Sequence, residues 1–387
     1  MSESGGRKII VIYEKSSGKV KGVKMTGDIH RRRELSEACG GIPHGELGFT
    51  REPRGVEIDI ENDTCKCVIK GEPLMLFGKD GLAKFQKVVI KEAREEIKKS
   101  EGIFIDPRSG LGDWILGAEC AAGARELYQG KRVIIGGAAK YKELYDHLEA
   151  KFEWGGAWGD GAKFKGIYYV DQRVGYQFDP RGGNFGHVAK YGVYLGAEEL
   201  KGRIKLIWGY GEREEYLKEI GTTERVMNRP ILGIHIKSAS SHTRSWNKKS
   251  ANEVAEKWLS EYGGSVIFFA EKNKGEGYPE RIWNIEPGIR EIKLAAIIRE
   301  CNILVCIDSG PLHLGRIQGV KEICLWGGTR PGIVLGRDIG ENDIIGEGGC
   351  GYKGCHSCDK PKALCMEAIK VTDVWEKIKG VMYAERI

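Results

Sequence analysis

Three short strings and one cysteine cluster in this 387-residue chain carry side chains suited to chemistry. The first string is Asp308-Ser309-Gly310-Pro311-Leu312-His313-Leu314, directly after the apolar run Ile303-Leu304-Val305-Cys306-Ile307. Such a sequence predicts a buried strand that ends at Asp308 and a Gly-Pro turn that opens a helix. Proline is tolerated at a helix start because its missing N–H would have no intrahelical partner. The free amides and the positive dipole end of that helix form a cradle for phosphate. Breaking a sugar–diphosphate bond builds negative charge on the leaving phosphate, which such a cradle stabilises. Asp308 could accept hydrogen bonds from sugar hydroxyls, and His313 could reach a phosphate or steady the loop. Asp308 and Ser309 could equally do no more than cap the helix.

The second string, Gly110-Leu111-Gly112-Asp113, repeats the pattern: a short apolar run, a Gly turn, then a helix. A carboxylate at the mouth of a cleft suits a general base that takes the proton of an acceptor hydroxyl, and Asp113 stands where such a base would. An ordinary N-terminal helix carboxylate is the plainer reading. The third string runs from His235-Ile236-Lys237 to His242-Thr243-Arg244-Ser245-Trp246. It is a polar, cation-bearing loop after a strand, in which Lys237 or Arg244 could neutralise a diphosphate, the arginine bidentately. Trp246 could simply anchor a solvated loop. His235 alternates with Ile234 and Ile236, which predicts a packed strand residue rather than a ligand.

Cys350, Cys355, Cys358 and Cys365 fall within 16 residues. Four thiolates so close suit a tetrahedral zinc or iron site, with a structural role because no coordination position is left open. Free or disulfide-prone thiols are the alternative. The total of 11 cysteines is odd and no signal peptide is apparent, which argues against a secreted disulfide framework; the other seven are dispersed.

These strings need scaffolds to position them, and the surrounding sequence supplies two kinds. The first 80 or so residues read as short strands at 8–13, 20–25, 56–60 and 64–69, separated by Gly, Pro and Asn-Asp breaks. They predict a small β-sheet or barrel, followed by a Lys- and Glu-rich helical pattern over 82–100. From Gly102 onward strands alternate with helices. Strands are expected at 103–105 and 132–136, with helices at 114–128 and 140–152. Residues 153–196, rich in Gly and aromatics, read as long loops or a hairpin. Alternation resumes after Pro230, with strands at 231–236, 265–269, 303–307 and 322–326 and helices at 247–262, 293–300 and 310–319. This pattern predicts an α/β fold of two doubly wound, Rossmann-like lobes, whose ligands sit at the carboxyl ends of the strands. The expected domains are a β-rich 1–100, a first lobe 101–228 with a loop insertion, and a second, donor-binding lobe 229–387 that includes a Cys-rich finger at 346–366.

Bulk properties narrow the function classes. A formal charge of +6 and a sequence pI near 8.6 are only mildly basic, and a nucleotide diphosphate ligand would account for some of that bias without nucleic acid. No apolar run approaches the roughly 20 residues needed to span a bilayer. The polar, Gly-rich start and the short apolar run after it do not resemble a signal peptide, so a cytoplasmic location is expected.

Taken together, the strings resemble glycosyltransferase family 9, the heptosyltransferases with the GT-B fold. The family's Gly-x-Gly-Asp turn corresponds to Gly110–Asp113, and its Asp-[Ser/Thr]-Gly-Pro-x-His hallmark to Asp308–His313. Its Lys-x-Trp corresponds to Arg244-Ser245-Trp246, with arginine in place of lysine. Its Gly-x-Thr-x-Pro loop corresponds to Gly327-Gly328-Thr329-Arg330-Pro331, where Gly328 and Arg330 replace the usual Pro and Asp. The resemblance implies an inverting transferase that uses ADP-heptose. Asp113 would be the catalytic base and Arg244 would assist the leaving diphosphate. Asp308 would hold the sugar, Ser309, Gly310 and Leu312 would bind phosphate through their backbone with His313 beside them, and Thr329 would complete the donor site. An N-terminal β-domain and a C-terminal Cys cluster around this core are similar to the bacterial autotransporter heptosyltransferases. That similarity implies a passenger protein's Ser or Thr hydroxyls as acceptor, cysteine-bound iron and a ring-shaped homo-oligomer. A lipopolysaccharide-core heptosyltransferase is the alternative within the fold. A non-catalytic, metal-stabilised binding scaffold is the alternative outside it.

Overall fold

The computed structural model describes residues 90–91, 93–107, 110–150, 152–156, 166–171, 192, 195–197, 200, 202–219, 228–238, 242–270, 281–329, 331–335, 339–346 and 363–384, together with the backbone of six strands before residue 76. Those strands are β1 (Lys8–Tyr13), β2 (Val20–Thr26), β3 (Phe49–Arg51), β4 (Val56–Glu61), β5 (Thr64–Ile69) and β6 (Glu72–Met75). They form two antiparallel sheets ordered β2-β1-β3 and β4-β5-β6. The alternating Val56-Glu-Ile-Asp-Ile run pairs with β5 in the register Ile58↔Cys67.

The chain divides into two compact units. The first comprises Met1–Arg108, Gly117–Gly137 and Phe152–Gly202, and the second Ser109–Leu116, Ala138–Lys151 and Arg203–Ile387.

In the first unit, β7 (Gly102–Asp106), β8 (Arg132–Ile135), β9 (Glu153–Trp154) and β10 (Ile167–Asp171) make one sheet in the order β10-β7-β8-β9, parallel throughout. Ile103, Phe104 and Ile105 are fully buried, as a central parallel strand requires. Residues 153–196 are therefore not simply loop or hairpin: β10 lies parallel to β7, with Tyr169 opposite Phe104 and their rings stacked 5.6 Å apart. Its β-branched and aromatic residues carry the strand, although no clear helical pattern announces the crossover. Helix α1 (Leu111–Leu127) begins three residues earlier than its sequence pattern suggests, which puts Asp113 inside its first turn.

The expected helix at 140–152 is shorter. A 3-10 turn, Ala139–Tyr141, leads into α2 (Lys142–Asp146). Beyond it the backbone turns to strand-like pairing. Leu148 bridges Leu206, the Ile207 N–H donates to the His147 carbonyl (2.7 Å) and the Glu149 N–H to the Lys205 carbonyl (2.9 Å). Helical bonding cannot continue where those groups are already committed. Helix α3 (Glu212–Glu219) follows.

Among the described residues the second unit is built on six parallel strands: β11 (Ile231–His235), β12 (Ser265–Phe269), β13 (Ile282–Ile285), β14 (Ile303–Ile307), β15 (Lys321–Trp326) and β16 (Asp343–Ile345). Their order is β13-β12-β11-β14-β15-β16. The winding runs outward from β11 to β13, then returns to the other side of β11 with β14, so the strand order reverses between β11 and β14. Helix α4 (Lys248–Tyr262) buries Ala251, Val254, Ala255 and Trp258, the i, i+3, i+4, i+7 stripe of an amphipathic helix. Its N-cap Asn247 accepts from the Lys249 N–H at 2.8 Å, and Gly263 ends it at φ +65°. Helices α5 (Glu291–Glu300) and α6 (Gly310–Gln318) pack against each other, α6 lying on β14 and β15. The short α7 (Pro331–Leu335) and α8 (Leu364–Glu367) precede α9 (Val371–Ala384), which joins α4 in one apolar cluster with Trp246, Ile303 and Ile323.

Candidate active site

Ligands of open parallel sheets gather at the carboxyl ends of the strands where the strand order reverses. In the second unit that point lies between β11 and β14, and the third and first sequence strings leave these two strands. His235 closes β11 and pairs with Cys306 of β14. Asp308 and Ser309 follow β14 directly.

Arg244 Nη1 donates to Asp308 Oδ2 at 3.0 Å and to the Asp308 carbonyl at 3.2 Å. Both side chains are largely withdrawn from water. The loop that delivers Arg244 is pinned by its neighbour. Trp246 is buried, its backbone N–H donates to Ile236 O (2.9 Å), and its indole Nε1 donates to Ile369 O (3.2 Å). The tryptophan is thus a structural anchor, and what it anchors is the arginine. Ser309 is the N-cap of α6, extended at φ −167°, and its hydroxyl makes no capping bond. Its Oγ donates instead to Ile307 O (3.1 Å) and lies 3.0 Å from His235 Nδ1. Burial without a counter-charge pushes His235 down to about 4, so the ring is neutral near pH 7.

Leu312 and His313 are buried in the first turns of α6. A side chain at Gly310 would meet Leu111: an added Cβ would stand 2.8 Å from its Cδ2. One at Gly112 would stand 2.7 Å from His313 Cδ2. Both glycines are therefore required by close approach, and they bring the first turn of α1, with Asp113, against the first turn of α6. Asp113 packs back on Gly110, whose added Cβ would be 2.8 Å from Asp113 Oδ2. Trp114 stacks on Tyr141 at 5.4 Å, and Lys140 sits over the Tyr141 ring while bonding Glu291 at 2.7 Å. Burial, first, pushes the Tyr141 phenol up; the Lys140 ammonium opposes this, and the carboxylates of Glu291 and Asp113 add to it. Tyr141, Lys140 and Glu291 carry no motif that sequence reasoning could have used.

After β15, the Gly327–Thr329 loop is tied to the arginine loop by the Gly328 N–H, which donates to Thr243 O at 3.3 Å. Thr329 is buried, and its Oγ1 has no hydrogen-bond partner among the described residues. A buried hydroxyl left so is costly, and a bound ligand group would relieve it. Lys237 is exposed and makes no ion pair among the described residues. Cys350, Cys355 and Cys358 lie outside the described residues. Cys365 belongs to α8, and its sulfur would be 3.1 Å from a Cβ added at Gly327, so the last member of the cysteine cluster borders the Thr329 loop. Among the described residues no three metal-ligating side chains converge.

Residues 197–345 match the model of glycosyltransferase family 9 (heptosyltransferase). No curated protein sequence matches the chain. Among solved structures, it is similar to the Escherichia coli ADP-heptose lipopolysaccharide heptosyltransferase II at 14% identity and TM-score 0.53, over 74% of this chain and 100% of that one. It is similar to TibC, a bacterial iron-containing dodecameric glycosyltransferase from enterotoxigenic E. coli H10407, at 13% identity and TM-score 0.55, over 98% of this chain and 92% of that one. A family 9 glycosyl transferase from Veillonella parvula DSM 2008 aligns at 16% identity and TM-score 0.51, over 73% and 98% of the two chains. TibC is also known in complex with ADP-D-β-D-heptose. At such identities the likeness is one of fold, the α/β architecture with parallel sheets of the GT-B heptosyltransferases. Among the described residues no helix is long and apolar enough to cross a membrane.

Proposed function

We propose that the chain, whose residues 197–345 match the model of glycosyltransferase family 9, is a glycosyltransferase that moves heptose from ADP-heptose to Ser or Thr hydroxyls of a bacterial autotransporter protein. The observation that carries the chemistry is the meeting of two helix starts, α1 with Asp113 and α6 with its open amides, beside the Arg244–Asp308 pair. Asp113 takes the proton from the acceptor hydroxyl. The oxygen forms a bond to the anomeric carbon from the face opposite the diphosphate. The anomeric C–O bond breaks, ADP leaves with the electron pair, and the configuration inverts. Charge growing on the leaving phosphate is met by the backbone N–H groups of Gly310 and Leu312, by the α6 dipole and by Arg244. With Asp308 Oδ2 given to Arg244, the other carboxylate oxygen would take a sugar hydroxyl. Thr329 Oγ1 and Lys237 would add contacts to the donor.

The protein acceptor is favoured by extent. TibC aligns with 98% of this chain, whereas the lipopolysaccharide enzyme aligns with 74%. The antiparallel strands β1–β6 we assign to an N-terminal domain of about residues 1–100. By the same analogy Cys350, Cys355, Cys358 and Cys365 would hold one structural iron or zinc ion, a donor set suited to either, and the chain would assemble into a ring. The residue 101–228 and 229–387 lobes, cytoplasmic work and independence from nucleic acid belong to this reading.

The test is intact-mass analysis of a Ser/Thr-rich passenger protein incubated with the enzyme and ADP-heptose. Heptose-sized additions that vanish in Asp113→Ala are expected. ADP release only with a lipid-core acceptor would move the protein to lipopolysaccharide synthesis, and no transfer to either acceptor would sink the heptose reading.

A further inference from the structure

Ser309 presents an anomaly. Serine at an N-cap normally turns its oxygen onto the backbone N–H of the second or third helical residue. Here the second is Pro311, which has no N–H, so Leu312 is the one amide that the hydroxyl could cap. It does not do so. Its oxygen is engaged 74 residues away in sequence, by His235. The hydroxyl has a single proton, and Ile307 O can only accept it. The Ser309 oxygen must then accept from His235, which fixes that ring as the Nδ1–H tautomer.

We propose that His235 is a positioning residue for the donor diphosphate: by donating Nδ1–H to Ser309 Oγ it holds the hydroxyl off α6 and keeps the Leu312 N–H open for a phosphate oxygen. The proposal deepens the ADP-sugar reading and rests on it for the identity of the ligand. It also explains why a histidine occupies a strand position flanked by Ile234 and Ile236 and buried to 5% exposure, where an apolar residue would pack at lower cost.

Three proteins test it: wild type, His235→Leu and His235→Asn, whose side-chain Nδ2 donor stands where Nδ1 does. His235→Phe replaces the leucine variant if that fails to fold, as judged by thermal melting. Removing the histidine releases Ser309 to cap Leu312, a competing bond worth about a factor of five in equilibrium. His235→Leu should therefore bind ADP about fivefold more weakly by calorimetry, and His235→Asn should recover binding. Without nucleotide, hydrogen exchange of the Leu312 amide should slow in His235→Leu and stay at the wild-type rate in His235→Asn. Equal exchange in all three proteins overturns the proposal, as does unaltered ADP binding by His235→Leu. If the exchange pattern holds while wild type ignores ADP, the hydroxyl clamp stands and the ADP-sugar reading fails.

Discussion

Arg244 and Asp308, 64 residues apart, form one unit: the guanidinium reaches both the carboxylate and the carbonyl of the same residue, at 3.0 and 3.2 Å. The roles proposed for them singly, diphosphate neutraliser and sugar holder, would therefore be interdependent. A change in either displaces the other.

Replacing Arg244 by alanine should cost about 1–3 kcal/mol of stability, because a mostly buried carboxylate loses its partner. Arg244→Lys should recover much of the stability and less of the turnover, since both bonds to Asp308 come from one nitrogen and an ammonium lacks the further N–H groups that a guanidinium can turn to a diphosphate. Denaturant titration and donor kinetics on the two variants separate these effects. Equal turnover in wild type and Arg244→Lys would show that those further N–H groups are immaterial.

The α1–α6 approach gives a steric prediction. Gly112→Ala puts a methyl group 2.7 Å from the buried His313 ring, and overpacking of this kind costs about 1–3 kcal/mol. Turnover should fall with it as Asp113 shifts from α6. Gly380 makes the matched control. It lies inside α9 with open space where its Cβ would be, so Gly380→Ala should stabilise the protein by about 0.5–1 kcal/mol. Thermal melts of the two variants should move in opposite directions; a shared direction would contradict the packing described.

Acid stability should report His235. Its ordinary value is 6.5, and burial brings it to about 4 in the folded chain. Between these values the unfolded chain holds the extra proton, so unfolding free energy rises with pH. The contribution is complete above about pH 6.5 and is lost as pH falls towards 4, about 3 kcal/mol in all. Urea unfolding at pH 7 and pH 4.5 should show a smaller acid loss in His235→Asn than in wild type. Identical losses would place the acid sensitivity elsewhere.

The cysteine cluster makes a compositional prediction. Cys355→Ser with Cys358→Ser should abolish binding of the proposed iron or zinc ion, measured by elemental analysis, and lower the melting temperature. Because Cys365 borders Gly327, the same variant should also weaken ADP binding through the Thr329 loop. Full metal content in the double variant would remove these thiolates as ligands.

The amino-acid sequence by itself determined most of the elements of the second unit and pointed to the strings proposed to carry its chemistry. Apolar runs of strand length, the stripe of α4 with its Asn247 and Gly263 ends, and the Gly-Pro opening of α6 are local signals, and local hydrogen bonding and solvation enforce them. Asp308, Ser309 and Arg244 were legible because their strings follow strands. The tertiary structure decided which strings meet. No periodicity states that β14 lies beside β11 rather than at an edge, yet that order brings His235 to Ser309 and Arg244 to Asp308. It also explains why His235 reads as a packed strand residue: it is one, and its partner arrives from a strand made some 70 residues later. The same holds for β10 and for the strand-like pairing at Leu148, where long-range backbone bonds overrode the local pattern. Contacts across such separations depend on the packing of whole layers, which no single stretch of chain encodes.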